Sequence, residues 1–249
     1  MRALSAMDLL DLADRADGLH PVDRGLAMLR TALPERTYGE LARLSLGERD
    51  SLLLELRRLT FGEEMSAYAE CGACGERLEF STSCHALLAE NAEGARAAIP
   101  DVVSDGYRVG LRRLDSLDLA AIAGCTDVAQ ARGALVARCI AEIDGPRGVA
   151  RAEDLPDGMV AALVDALGQG DPQAEVLLEL SCPACGHTWQ AQLDIGRFLW
   201  TEIRVRARRL LGEVHVIARA YGWRESDILA MSERRRTAYV DLALRGAPS

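Results

Sequence analysis

The sequence predicts an α+β fold, mainly helical, built around a split pair of short β-hairpins. Three observations lead there. Two cysteine clusters of the same form, Cys71-Gly72-Ala73-Cys74-Gly75 and Cys182-Pro183-Ala184-Cys185-Gly186, lie far apart in the chain. The stretches beside them partly alternate apolar and polar residues, as half-buried strands do. Most of the remaining chain carries apolar residues at helical spacing between capping residues.

Each cluster sets two thiols on one tight turn, and the glycine relieves the backbone where it doubles back. A turn of this kind offers two ligands to a metal ion, whereas tetrahedral zinc takes four. The two clusters therefore complete each other, with Cys71, Cys74, Cys182 and Cys185 holding one structural Zn2+ per chain. The flanks repeat as well. With Cys71 laid on Cys182, Leu78 falls on Trp189, Cys84 on Ile195, and Leu87-Leu88 on Phe198-Leu199. One motif, strand–cysteine turn–strand, is written twice, and two such hairpins around one ion make a zinc-ribbon-like core.

Other readings of the cysteines are weaker. A disulfide needs an oxidising compartment. A thioredoxin-like pair needs its second cysteine to enter a helix, and here strands follow. A catalytic zinc keeps an open position, which four thiolates do not leave. A relic that binds no metal is the remaining alternative.

In order, residues 1–70 read as an N-terminal helical part. It has helices over 7–19 and 21–33, then two successive capping boxes, Thr37 with Glu40 and Ser45 with Glu48. The second opens a helix over 46–59 with Leu52, Leu53, Leu56 and Leu59 along one face, stopped by Gly62. Residues 71–90 with 175–195 form the split core; the first hairpin, with its incoming strand, begins near 63. Residues 91–174 are a mostly helical insertion seated on the ribbon, with one strand at 107–112. Its helices are capped at Asp115 or Ser116, opened by Asp127 with Gln130, and started at Leu155-Pro156-Asp157, where proline sits in the first turn. Residues 196–249 are a C-terminal helical part. Its long helix, 198–221, places Leu199, Ile203, Leu210, Val214, Ile217 and Tyr221 on one side and ends at Gly222; helices over 225–231 and after Ser232 close the chain.

The 249 residues allow one large domain or two small ones, and 49% hydrophobic residues can fill a sizeable core. No apolar run approaches the roughly 20 residues that span a bilayer. Asp8 and Asp11 interrupt the first apolar stretch, which does not read as a signal peptide, so a cytoplasmic location is expected. Every one of the 29 basic residues is arginine, and the net charge is −9. That balance argues against general nucleic-acid binding. From Arg197 onward, however, 11 arginines face 6 acids, a local excess of +5. Arg204, Arg206, Arg208 and Arg209, with Arg234, Arg235 and Arg236, make the basic tail, and the last three are candidate partner-binding residues.

Cys84, His85 and His187 stand near the clusters as substitute ligands, but Cys84 aligns with a core isoleucine. Cys125 and Cys139 read as small buried hydrophobes on helix faces, and His215 as hydrogen-bonded structure. No Ser/His/acid set stands out as a triad and no phosphate-binding glycine loop is present, so no motif specifies an enzyme.

Several stretches resemble a known family. They are Leu46-Gly47-Glu48-Arg49-Asp50, Leu52-Leu53, Phe61-Gly62, Asp171-Pro172-Gln173-Ala174-Glu175 and the second cysteine cluster with His187. Then come Phe198-Leu199-Trp200, Glu213-Val214-His215, Tyr221-Gly222-Trp223, Ile228-Leu229-Ala230, Arg235-Arg236 and Tyr239. The pattern resembles the T-even-type phage baseplate and baseplate-hub assembly proteins, with relatives in phage-tail-like contractile injection systems. The resemblance implies a non-enzymatic role as baseplate component or assembly chaperone. Its partners would be other baseplate, hub or spike proteins, and it could be incorporated in the assembled tail particle. The alternative is a zinc-ribbon regulator that binds DNA through the basic tail.

Overall fold

The computed structural model describes residues 1–89, 98–146, 148–149 and 155–245. The chain starts with four helices: α1 (Ala6–Ala16), α2 (Pro21–Ala32), α3 (Tyr38–Ala42) and α4 (Leu46–Phe61). Both expected capping boxes form. The Glu40 carboxylate accepts from the Thr37 N–H at 2.6 Å, and the Glu48 carboxylate from the Ser45 N–H at 2.9 Å. In return each hydroxyl accepts the third-residue N–H at 3.2 Å. Ser5 and Asp8 build a further box at the start of α1. Gly62 ends α4 at φ 100°, a value closed to most side chains.

A hairpin follows, β1 (Glu64–Glu70) with β2 (Arg77–Ser83), and then α5 (Cys84–Ala89). The matching hairpin comes much later, β7 (Val176–Ser181) with β8 (Thr188–Leu193), and runs into α9 (Ile195–Tyr221). Helices α10 (Glu225–Leu229) and α11 (Glu233–Arg245) close the chain.

Helix α9, 27 residues long, is the spine of the larger core. Ile195, Leu199, Trp200, Ile203, Ala207 and Leu210 pack against Leu26, Met28, Leu29, Leu41, Leu53 and Leu54. Each Leu, Ile or Met among these contributes about 1.5–3 kcal/mol by leaving water. Met65 from β1 and Val176 from β7 join this cluster, so each hairpin is anchored through its first strand.

The stretch between the hairpins builds a second core. Strands β3 (Val102–Ser104), β4 (Tyr107–Leu111), β5 (Ile140–Gly145) and β6 (Gly148–Val149) form one antiparallel sheet in chain order. Helices α6 (Ser116–Ile122), α7 (Val128–Cys139) and α8 (Asp157–Gly170) accompany it. Val109, Val136, Cys139, Ile143, Met159 and Leu163 are buried together there.

Some expectations are corrected. Alternation in the sequence predicts one strand in the insertion, and its described residues form four. Strands β3 and β6 are too short to show a two-residue period, and β5 follows α7 without a break, at Cys139–Ile140. The insertion rests on the start of α4: the Leu46 N–H donates to the Leu114 carbonyl at 2.9 Å, and Ser45 bridges to Asp115. On α4 the buried face is Leu53, Leu54, Leu56 and Arg57, while Leu59 is 38% exposed. The stripe shifts because Arg57 turns inward to Glu202 on α9, with contacts of 2.8 and 3.0 Å. On α9, Tyr221 is exposed and Ala207 and Glu213 are buried instead. The expected boundary at 90/91 lies outside the described residues.

Candidate metal centre

Each cysteine turn is closed by its own backbone. In the first, the Gly75 N–H donates to the Cys71 carbonyl at 2.8 Å and the Cys71 N–H to the Glu76 carbonyl at 2.9 Å. In the second, Gly186 donates to Cys182 at 2.8 Å and Cys182 to His187 at 2.8 Å. Gly75 and Gly186 adopt φ 74° and 73°, the left-handed region that L side chains avoid. The likeness continues downstream. The Ser83 hydroxyl accepts from the Ala86 N–H at 3.0 Å as α5 starts, and the Asp194 carboxylate from the Arg197 N–H at 2.9 Å as α9 starts. Cys84 and Ile195, aligned in the sequence, are both buried in the larger core.

The two turns meet. Cys71 Sγ lies 3.7 Å from Cys185 Sγ, and Cys74 Sγ lies 3.6 Å from Cys182 Sγ. All four sulfurs fall within 4.8 Å of one another. Tetrahedral zinc with Zn–S bonds of about 2.3 Å sets sulfurs about 3.8 Å apart, so this donor set fits such an ion. A disulfide requires about 2 Å, and all seven cysteines are free. Strands, not helices, follow both turns, which excludes the redox-helix arrangement.

Electrostatics favour a cation here. Burial pushes the Cys71 thiol up. The N–H groups of Ala73 and Cys74, with Cys185, outweigh burial and hold the thiol at about 7. The Glu76 N–H favours a Cys74 thiolate, but sharing protons with Cys185 and Cys182, together with burial, drives Cys74 up to about 12. Cys185 is raised despite the His187 N–H. Four thiolates repel at this range, and a divalent ion removes that repulsion by displacing the shared protons. The backbone N–H groups aimed at the sulfurs orient and stabilise them once ionised.

The nearby substitutes stand apart from the cluster. Cys84 is fully buried beside the Arg57 guanidinium, 3.8 Å away, and burial raises its thiol. The His187 ring stacks on Trp189, with centroids 5.6 Å apart. Cys139 is buried in the second core as expected, but Cys125 lies in the loop before α7 and donates to Gln130. His215 is exposed on α9.

The three tail arginines separate. Arg234 and Arg235 are exposed, and Arg235 lies over the Tyr239 ring. Arg236 is buried: it donates to Glu213 at 2.9 Å and to the Met231 carbonyl. Glu213 also accepts from Arg206 at 2.8 Å. Burial pushes the Glu213 carboxyl up, but the two arginines override that and hold it below the usual range. The sequence signal for Glu213 was its place between Leu210 and Ile217, an acid on the apolar stripe of a helix.

Sequence reasoning missed a second buried acid. Asp171 Oδ2 accepts the Gly47 N–H at 2.9 Å, across 124 residues, at the start of α4. Two of the stretches that carried the family resemblance thus touch each other. Tyr221, Trp223 and Tyr239, from the same resemblance, also form one aromatic cluster, with Trp223 4.8 Å from each of the other rings.

Among the described residues no helix is long and apolar enough to cross a membrane. No curated protein and no solved structure matches the chain. The sequence model of one family, described as T4 bacteriophage base plate protein, matches residues 29–200. That stretch holds both cysteine turns, the insertion and the Gly47–Asp171 contact, and ends inside α9, before the basic tail. On this match the chain belongs to the T4 bacteriophage base plate protein family.

Proposed function

We propose that the protein is a non-enzymatic, zinc-stapled component or assembly factor of the baseplate of a contractile phage tail or phage-tail-like injection system. The family match over 29–200 is the observation that carries this reading. The metal reading is supported by the four-sulfur clasp, whose geometry suits a closed four-cysteine site for Zn2+. A shell of four thiolates leaves no position for a water or substrate, which supports a structural role for the ion. In this reading the chain divides as its sequence suggests, with a split ribbon-like core, an insertion, and helical parts at each end.

Other baseplate subunits are the partners in this reading, and the tail is one docking element. That role falls to Arg234 and Arg235, because Arg236 is engaged with Glu213. The DNA-binding alternative is weakened on the same ground, since Arg206 and Arg236 are held internally by Glu213 and Glu233.

Gradient sedimentation of native-host lysate tests the proposal. Travel with sheath and tube proteins marks a component. A light protein whose deletion abolishes particles marks an assembly factor. A light protein whose deletion leaves particles intact refutes the baseplate reading.

A further inference from the structure

The inner faces of the two hairpins are only partly covered. Ala67, Phe80, Leu178, Ala191 and Leu193 are all half-buried, although each points to the side where the other hairpin and α9 lie. Between the hairpins and α9 runs an apolar groove of about 920 Å³. Four consecutive residues of β1, 66–69, line it, as do residues 191–194 at the end of β8. Consecutive lining residues mean that strand edges, not only strand faces, border the groove. Each hairpin has two strands, so β1 and β8 each keep one edge without a ladder partner among the described residues. A free edge presents outward N–H and C=O groups at alternate residues.

The α9 wall is apolar at Val205, which is 63% exposed, and positive beside it. The acids that line the groove are already engaged. Glu202 is held by Arg57, and Asp194 caps α9. Arg206 is neutralised by Glu213 and Glu233. Arg197 is exposed, and Arg209 reaches only a Glu213 that two other arginines already bind. The charge left for a ligand on this wall is positive.

We propose that this groove docks an extended segment of a partner protein. The segment carries apolar side chains at alternate positions and at least one Asp or Glu, and its backbone pairs with a free edge of β1 or β8. The edges select an extended chain over a helix, which would bury the groove but leave the edge groups unmet. The arginines select an acidic segment over a basic one. This inference deepens the baseplate reading by naming the chemistry of the partner, and it rests on that reading only for where the partner resides.

Random peptides displayed on phage are selected on the full-length chain, and winners are remeasured by fluorescence anisotropy. The expected winners alternate apolar residues and contain Asp or Glu. Their affinity should fall at least about tenfold on Arg197→Glu and on Val205→Glu. Both positions are exposed, so the variants should keep the wild-type circular dichroism and melting temperature. N-methylation of alternate peptide nitrogens should abolish binding in one phase of the alternation and spare the other. Failure to enrich any peptide, or unchanged affinity on both variants, overturns the proposal. So does a dimer of the chain that Val205→Glu abolishes, because a second copy would then own the groove. A wild-type chain that enriches no peptide yet sediments with particles sinks the groove alone. Peptide binding by a chain that neither sediments with particles nor is needed for their formation sinks the baseplate reading alone.

Discussion

Gly47 shows how one residue can join two bodies. A Cβ at this position would lie 2.0 Å from Asp171 Oδ1, so any side chain must push the buried acid off the start of α4. Gly47→Ala should lower the urea midpoint, with a cost of about 2 kcal/mol. Gly212→Ala is the control: nothing lies within 4 Å of its Cβ position on α9, and helix propensity predicts a gain of about 0.5–1 kcal/mol. Asp118 works within the insertion. It is fully buried and accepts from Arg112 at 2.7 and 2.8 Å and from Arg138 at 2.8 Å. Burial favours its neutral form, but Arg112, the Asp115 N–H and Arg138 prevail and hold it at about 2, below the ordinary 3.8. Its stabilisation is therefore present above about pH 4 and lost as pH falls toward 2. Asp118→Asn should cost about 2 kcal/mol at pH 7, and the gap from wild type should close between pH 4 and 2 in acid-unfolding curves.

At the scale of elements, the hairpins show what local sequence carries. The cysteine turn, its glycine and the alternation beside it depend on adjacent residues, so both hairpins were readable, as were the Thr37 and Ser45 caps. Three strands of the insertion were not: β3 and β6 are too short to show a period, and β5 runs on from α7 without a break. The turned face of α4 was not legible either, since Arg57 is buried by a glutamate on a helix far along the chain. The Asp171–Gly47 contact has no local signal, because it spans 124 residues. Among the tail arginines, composition could not separate the buried Arg236 from its exposed neighbours. Glu213 holds α11 to α9 through Arg236, and both are buried. Removing one partner of such a pair leaves an uncompensated charge inside the protein. Glu213→Gln should therefore loosen α11 by about 3 kcal/mol, read as faster amide hydrogen exchange in α11 with β1–β2 unchanged.

For the whole molecule, the four-sulfur site joins segments on either side of the insertion. Cys74 and Cys182 are 108 residues apart, so a metal clasp closes a long loop. In the chain-entropy model a cross-link of that span is worth about 4–5 kcal/mol, comparable to the net stability of many domains. Beyond the clasp, the tail should act as a surface. Arg234→Glu with Arg235→Glu should weaken pull-down of its partner at low salt, with a smaller effect at high salt, and should leave the melting temperature unchanged. Unaltered pull-down would remove the tail from the docking account. The most direct test of the stapled core is metal content by inductively coupled plasma mass spectrometry, on wild type and Cys182→Ser purified alike. The account predicts one zinc per wild-type chain, and in Cys182→Ser a loss of both zinc and thermal stability. A metal-free wild type, or a variant that keeps its full zinc and its full stability, would contradict a site shared between the two hairpins.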